Sequence, residues 1–209
     1  MDIAILIYPR FTALDAVGPY EVLSRLPSAK VTFVAEQLGA QRTDTGQLAL
    51  LADATLDELL HPDIVLVPGG PGQAALMEDG PVHEWLRTAH ETSTWTTSVC
   101  TGSLILAAAG LLEGRRATSH WLALEELGRL GAEPIAERVV FDGKIVTAAG
   151  VSAGIDMALA LAARIAGEQV AQAIQLSIEY DPQPPFDAGS PTTAPEQVTQ
   201  LVRSHARFA

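Results

Sequence analysis

The chain has 209 residues, 48% hydrophobic and 18% charged, which excludes a disordered protein and is enough for a sizeable core. Thirteen basic residues against 25 acidic ones leave a net charge of −12, a surface that repels nucleic-acid phosphates and anionic lipid. A single cysteine rules out an internal disulfide and a cysteine-based zinc site, and fits a reducing compartment.

Residues 3–8 are a short apolar run with no basic leader or cleavage site, so they read as a buried strand rather than a signal peptide. A helix is expected over 17–26. Asp15 falls between the two, beyond the strand and just ahead of the helix. Its plainer role there is an N-cap carboxylate; its sharper one is an acid–base group at the carboxyl edge of a sheet. Strands over 31–35 and 64–68 flank a short helix over 56–60, with Thr55 and Glu58 at capping-box spacing. Next comes Val67-Pro68-Gly69-Gly70-Pro71-Gly72. Glycines at the carboxyl end of a strand let backbone N–H groups approach a ligand closely. The spacing fits neither the dinucleotide fingerprint nor the nucleotide P-loop. An oxyanion hole made by the N–H near Gly70 and that of Thr101, both facing Cys100, fits better. A simple tight turn would use the same glycines.

A helix over 81–90 and a strand over 95–99 lead to the informative junction. Cys100-Thr101-Gly102-Ser103 joins the β-branched run Thr96–Thr97–Ser98–Val99 to good helix formers over 104–109. That is the pattern of a nucleophile elbow, and a thiol at a helix N-terminus is more easily ionised. An inert core cysteine is the alternative. Downstream, His120 follows a short strand and approaches the same edge, ahead of a helix over 121–130. His61, His83, His90 and His205 stand in polar contexts and read as solvated. Leu76, Met77, Trp85 and Trp121 read as core or interface residues. Asp142-Gly143 marks a hairpin between antiparallel strands over 138–141 and 144–147. Ser152 is the expected N-cap of an apolar helix over 153–166, which is too short to span a bilayer and carries Asp156 and Arg164. A helix over 169–180, a Pro-rich arm over 181–191 and a polar helix over 196–207 complete the chain.

Strands alternating with helices predict an α/β fold: a three-layer sandwich with a mostly parallel sheet. The whole chain, 1–209, reads as one domain, with 181–209 as arm and short helix. It is expected in the cytoplasm. The histidines lack His-x-x-x-His spacing and the carboxylates form no metal set, so no metal is expected.

The Pro-Gly-Gly loop, the Ser98-Val-Cys-Thr-Gly-Ser103 elbow and the order of strands resemble the DJ-1/PfpI superfamily, whose fold is flavodoxin-like. Leu14-Asp15, Gly18-Pro19, the stretch 110–121, Ala153-Gly-Ile-Asp156 and the tail over 179–191 are most similar to its isonitrile (isocyanide) hydratase branch. The resemblance implies Cys100 as nucleophile, Asp15 as the acid–base carboxylate, and Thr101 as hydroxyl and backbone donor. It also implies Gly70 as the opposing backbone donor and His120 as a site-proximal residue. The implied reaction hydrates an isonitrile to an N-substituted formamide through a Cys100 thioimidate and needs no cofactor. The implied assembly is a homodimer. Peptidase-like members carry histidine after the cysteine; here Thr101 stands there, so that mechanism lacks its base. Two other readings of the same residues are a glyoxalase acting on methylglyoxal-type carbonyls and a sensing domain related to AraC-type regulators. Oxidation of an exposed, acidic thiol would serve a redox sensor as well.

Overall fold

The computed structural model describes residues 1–205. Ile, Leu and Val fill β1 (Asp2–Leu6) and β6 (Ile64–Val67), both fully buried apart from Asp2, so both faces of the sheet must be covered. The remaining strands of the main sheet are β2 (Lys30–Ala35), β5 (Ala54–Thr55), β7 (Trp95–Val99), β10 (Val139–Asp142) and β11 (Ile145–Ala148). Among the described residues they form a seven-stranded sheet in the order β10-β11-β7-β6-β1-β2-β5. All pairs are parallel except β10 with β11, whose register puts Asp142 opposite Ile145 across the expected hairpin.

On one face α1 (Ala13–Leu23) packs on α5 (Ala153–Ala166), which also packs on α6 (Glu168–Ser177). On the other, α3 (Gly102–Ala108) lies on β6 and β7 and touches α2 (Pro81–Thr92) and α4 (Leu124–Arg129). The three-layer α/β sandwich is therefore as expected. Helix α1 and helix α5 approach closely because Gly18 faces Ile155 and Gly154 faces Pro19; a Cβ at either glycine would come within 3.0 Å of its neighbour.

Several local expectations need correction. Helix α1 begins at Ala13, four residues early, so Asp15 lies inside its first turn and Thr12 occupies the N-cap. The short helix after Thr55 is a 3-10 turn, Leu56–Glu58, although its capping box is formed, with the Thr55 N–H donating to Glu58 Oε2 at 2.8 Å. Over 121–130 a 3-10 turn, Trp121–Ala123, precedes α4. Ser152 makes no capping hydrogen bond; its Oγ instead accepts from the Arg138 guanidinium at 3.3 Å. The hairpin of β3 (Gly39–Arg42) with β4 (Ala49–Ala52) carries no apolar alternation and was not expected; β8 (Arg116–Ala117) is the short strand expected ahead of His120, and its partner β9 (Glu133–Pro134) was not expected. The arm beyond Tyr180 is irregular and largely exposed, and α7 (Glu196–Ser204) buries none of its residues. The part of that helix expected over 206–207 lies outside the described residues.

His61 and His205 are exposed as expected, but His83 is not. It is 1% exposed within the apolar stripe Val82, Leu86 and Ala89, and neither ring nitrogen has a hydrogen-bond partner; Asp79 Oδ1 stands 3.8 Å from Nδ1. His90 is half-buried and shares a 2.8 Å hydrogen bond with Thr96 Oγ1. Among the described residues, no helix is long and apolar enough to cross a membrane, and no group of three or more His, Cys, Asp or Glu could hold a metal ion.

Candidate active site

Three neighbouring strands, β7, β6 and β1, deliver Cys100, the Gly69-Gly70 loop and Asp15 to one carboxyl edge of the sheet, where open α/β folds bind ligands. The chain turns at Cys100 with φ of +59°, a left-handed conformation that costs a non-glycine residue about 1–2 kcal/mol. Its surroundings over-determine it. The Cys100 N–H donates to the Ala148 and Ala149 carbonyls at 3.0 and 2.9 Å, and its own carbonyl accepts from Ser103 Oγ at 3.2 Å and Ser119 Oγ at 3.0 Å. Strain held this way is a mark of functional sites, and here it aims one side chain off the end of the sheet.

Backbone lies directly against backbone around the elbow. A Cβ on Gly69 would sit 2.4 Å from the Thr101 nitrogen, and one on Gly102 would sit 2.1 Å from the Val67 carbonyl oxygen. Gly70 adopts φ of +128°, open only to glycine, and sends its N–H to Thr101 Oγ1 at 3.0 Å. The expected placement of Gly70 therefore changes: its N–H is committed to the Thr101 hydroxyl rather than left to face sulfur. The backbone donors that reach the Cys100 thiol are the N–H groups of Thr101 and Val151. Val151, with φ of +31°, begins the turn into α5 and brings that N–H across from the far side of β7.

Asp15 is fully buried. Its Oδ2 accepts the Gly69 N–H at 2.9 Å, and its Oδ1 is buried without a conventional partner, leaving that carboxyl to the Cys100 thiol. Burial pushes the Asp15 pKa up to about 7, opposed by the Gly69 N–H and the thiol, and assisted by Asp44. The thiol is also pushed well up, first by burial and then by the nearby carboxyl, against the Thr101 and Val151 donors. Desolvation thus opposes the ionisation that a helix N-terminus favours, and α3 is only seven residues long. Burial therefore favours the neutral form of both groups, and the two titrate as a pair.

His120 is half-buried beside the same loop. Its Nδ1 accepts the Leu122 N–H at 3.3 Å, and its ring covers Gly150, where a Cβ would come 2.7 Å from Cδ2. Burial lowers its pKa, so the ring is neutral at pH 7. The structure thus brings Cys100, Asp15, Thr101 and Gly70 into direct contact and places His120 one residue from Val151. Sequence reasoning missed Val151, Ser103, Ser119 and Tyr8, whose hydroxyl donates to the Pro68 carbonyl at 2.8 Å beneath the carboxyl. Cys100, Asp15 and Thr101 are all inaccessible to solvent, so a reactant reaches the sulfur only when neighbouring groups move aside. A groove of about 360 Å³ between α1 and α5 is bounded by Leu14, Gly18, Ile155 and Tyr180.

The DJ-1/PfpI family model matches residues 1–164. An isonitrile hydratase of Pseudomonas putida is 45% identical over 206 residues, which is 99% of this chain and 90% of that protein. An HTH-type transcriptional regulator, CdhR, of Pseudomonas aeruginosa is 30% identical over 86% of this chain, which spans 54% of the regulator. Among solved structures, a ThiJ/PfpI family protein from Pseudomonas syringae superimposes with a TM-score of 0.94 at 40% identity, covering 99% of this chain and 86% of that one. With that coverage, and with elbow, glycine loop and carboxylate assembled at one sheet edge, the chain belongs to the DJ-1/PfpI family.

Proposed function

We propose that the protein is an enzyme that hydrates isonitriles to N-substituted formamides by covalent catalysis at Cys100. The observation that carries this reading is the buried Cys100–Asp15 pair, which sets a nucleophile beside an acid–base group away from bulk water. An isonitrile, R–N≡C, presents its reacting carbon at the tip of a linear group. The similarity to an isonitrile hydratase along nearly the whole chain supports the same chemistry.

Asp15 carboxylate takes the thiol proton as sulfur bonds to the terminal carbon, and then returns that proton to the carbon lone pair. The product is the thioimidate R–N=CH–S–Cys100. Asp15, again a carboxylate, draws a proton from water as its oxygen adds to the same carbon, and the nitrogen is protonated. Collapse of R–NH–CH(OH)–S–Cys100 breaks the C–S bond, sends the hydroxyl proton back to sulfur and releases R–NH–CHO. Electrons and atoms balance without an oxidant or reductant. The Thr101 and Val151 N–H groups stabilise negative charge on sulfur at both ends of this cycle.

Intact-mass measurement during turnover of p-nitrophenyl isocyanide tests the reading. The expected adduct carries the mass of the entire isonitrile, because nothing leaves, and is absent from Cys100→Ala. Normal turnover by Cys100→Ala, or much faster turnover of methylglyoxal by the wild type, overturns it. We also assign the exposed arm and α7, with Phe186 at 78% and Leu201 at 59% exposure, to a homodimer interface. Light scattering of the whole chain against one ending at Tyr180 tests that assignment; equal masses refute it.

A further inference from the structure

The end of β1 holds a phenol that the reaction above does not use. Tyr8 is buried, and its hydroxyl donates to the Pro68 carbonyl at 2.8 Å. The N–H on the other side of that same peptide bond belongs to Gly69 and donates to Asp15 Oδ2 at 2.9 Å. One rigid amide is thus gripped at its oxygen and aimed at the carboxylate with its hydrogen. A planar peptide cannot turn one end without the other. A donor on the carbonyl also polarises the amide and strengthens what the N–H gives.

We propose that Tyr8 is a positioning residue for Asp15, holding the Pro68–Gly69 peptide so that the Gly69 N–H stays directed at the carboxylate. This rests on the Cys100–Asp15 pair proposed above. The other titratable groups that face Asp15 are the Cys100 thiol from the elbow and Asp44 from the turn after β3, itself held by Thr12 Oγ1 at 3.3 Å. Neither touches the Pro68–Gly69 peptide oxygen. Tyr8 remains neutral there, since burial, the carboxyl and the thiol all oppose its ionisation. Its effect on Asp15 is therefore transmitted through the amide and not through a charge of its own.

Cys100 is the only cysteine and is buried, so its alkylation by iodoacetamide, read where local opening is in rapid pre-equilibrium and the rate is first order in reagent, reports on the pair without any assumption about substrate. In the wild type the rate rises with pH as Asp15 becomes the carboxylate that accepts the thiol proton, and Asp15→Asn removes that limb. Tyr8→Phe keeps the ring and deletes the donor. It is expected to move the limb upward by about half a pH unit, a ~3-fold lower rate on its acid side. The Gly69 amide proton resonance should move upfield in the same variant. A limb and a Gly69 resonance that both superimpose on the wild type would overturn the proposal. A wild-type profile with no Asp15-dependent limb would overturn the Cys100–Asp15 pairing and this inference with it. Failure to hydrate isonitriles, with the limb shifted as expected, would remove the substrate assignment and leave Tyr8 in its role.

Discussion

Asp15→Asn should make the protein more stable as it makes it inactive, and the gain should grow with pH. The carboxyl pKa rises from 3.8 to about 7 on folding because the folded protein buries the charge. At about 1.4 kcal/mol for each tenfold change in proton affinity, that rise means that ionised Asp15 costs the fold about 4 kcal/mol. A raised folded-state value makes the group's stabilisation complete below the unfolded value and lost as pH climbs through about 7. Between about pH 5.5 and pH 8 the wild type should therefore forfeit about 2 kcal/mol that the neutral asparagine keeps. Urea unfolding at several pH values in this window, for both proteins, measures the divergence. The altered hydrogen bonds of the asparagine add an offset that does not vary with pH, so the slope is the diagnostic quantity. Parallel stability profiles would refute the reasoning, because they would mean that the buried carboxylate is not desolvated in the folded state.

Other substitutions separate chemistry from scaffold. Cys100→Ala should reduce isonitrile hydration by a factor of roughly 10⁴ or more with an unchanged circular dichroism spectrum, and retained activity would contradict a covalent route. Thr101→Val removes the acceptor of the buried Gly70 N–H and should cost about 1–3 kcal/mol in urea unfolding; no loss would show that this N–H finds another partner. Gly102→Ala drives a Cβ to 2.1 Å from the Val67 carbonyl oxygen, backbone against backbone, and should cost roughly 3 kcal/mol or fail to fold. Gly150→Ala meets only the edge of the His120 ring, so its cost should be smaller, and the order of the two melting temperatures tests the packing argument.

The elbow was legible because its signals are local: β-branched residues, then cysteine among small neighbours, then helix formers. Asp15 was legible as a carboxylate at a strand-to-helix junction, though only the structure shows it inside the first turn of α1 and facing the thiol. Val151 left no trace, since any non-proline residue can offer a backbone N–H. Ser119 and Tyr8 act over 19 and 60 residues of sequence, through contacts that no short pattern encodes. The Gly70 assignment failed for a related reason. Sequence shows that a loop is rich in glycine but not which group its N–H will meet. His83 could have been found, because Val82, Leu86 and Ala89 form a helical stripe that includes it. The burial of the thiol, which opposes the helix-end effect, is a property of the packed fold that no local pattern encodes.

The packing of the Gly69-Gly70-Pro71-Gly72 loop against the elbow on one side and Pro9–Thr12 on the other also limits how this protein can be redesigned. Cβ atoms at Gly69, Gly70, Gly72 and Gly102 would all fall within 2.5 Å of main-chain atoms, so these four positions have no neutral neighbours in sequence space. New substrate preferences must be sought elsewhere, in side chains with room to change size. Side chains such as Leu14, Val17, Ile155 and Tyr180, which line the groove between α1 and α5, leave the elbow backbone untouched, whereas a Cβ at any of the four glycines meets main chain.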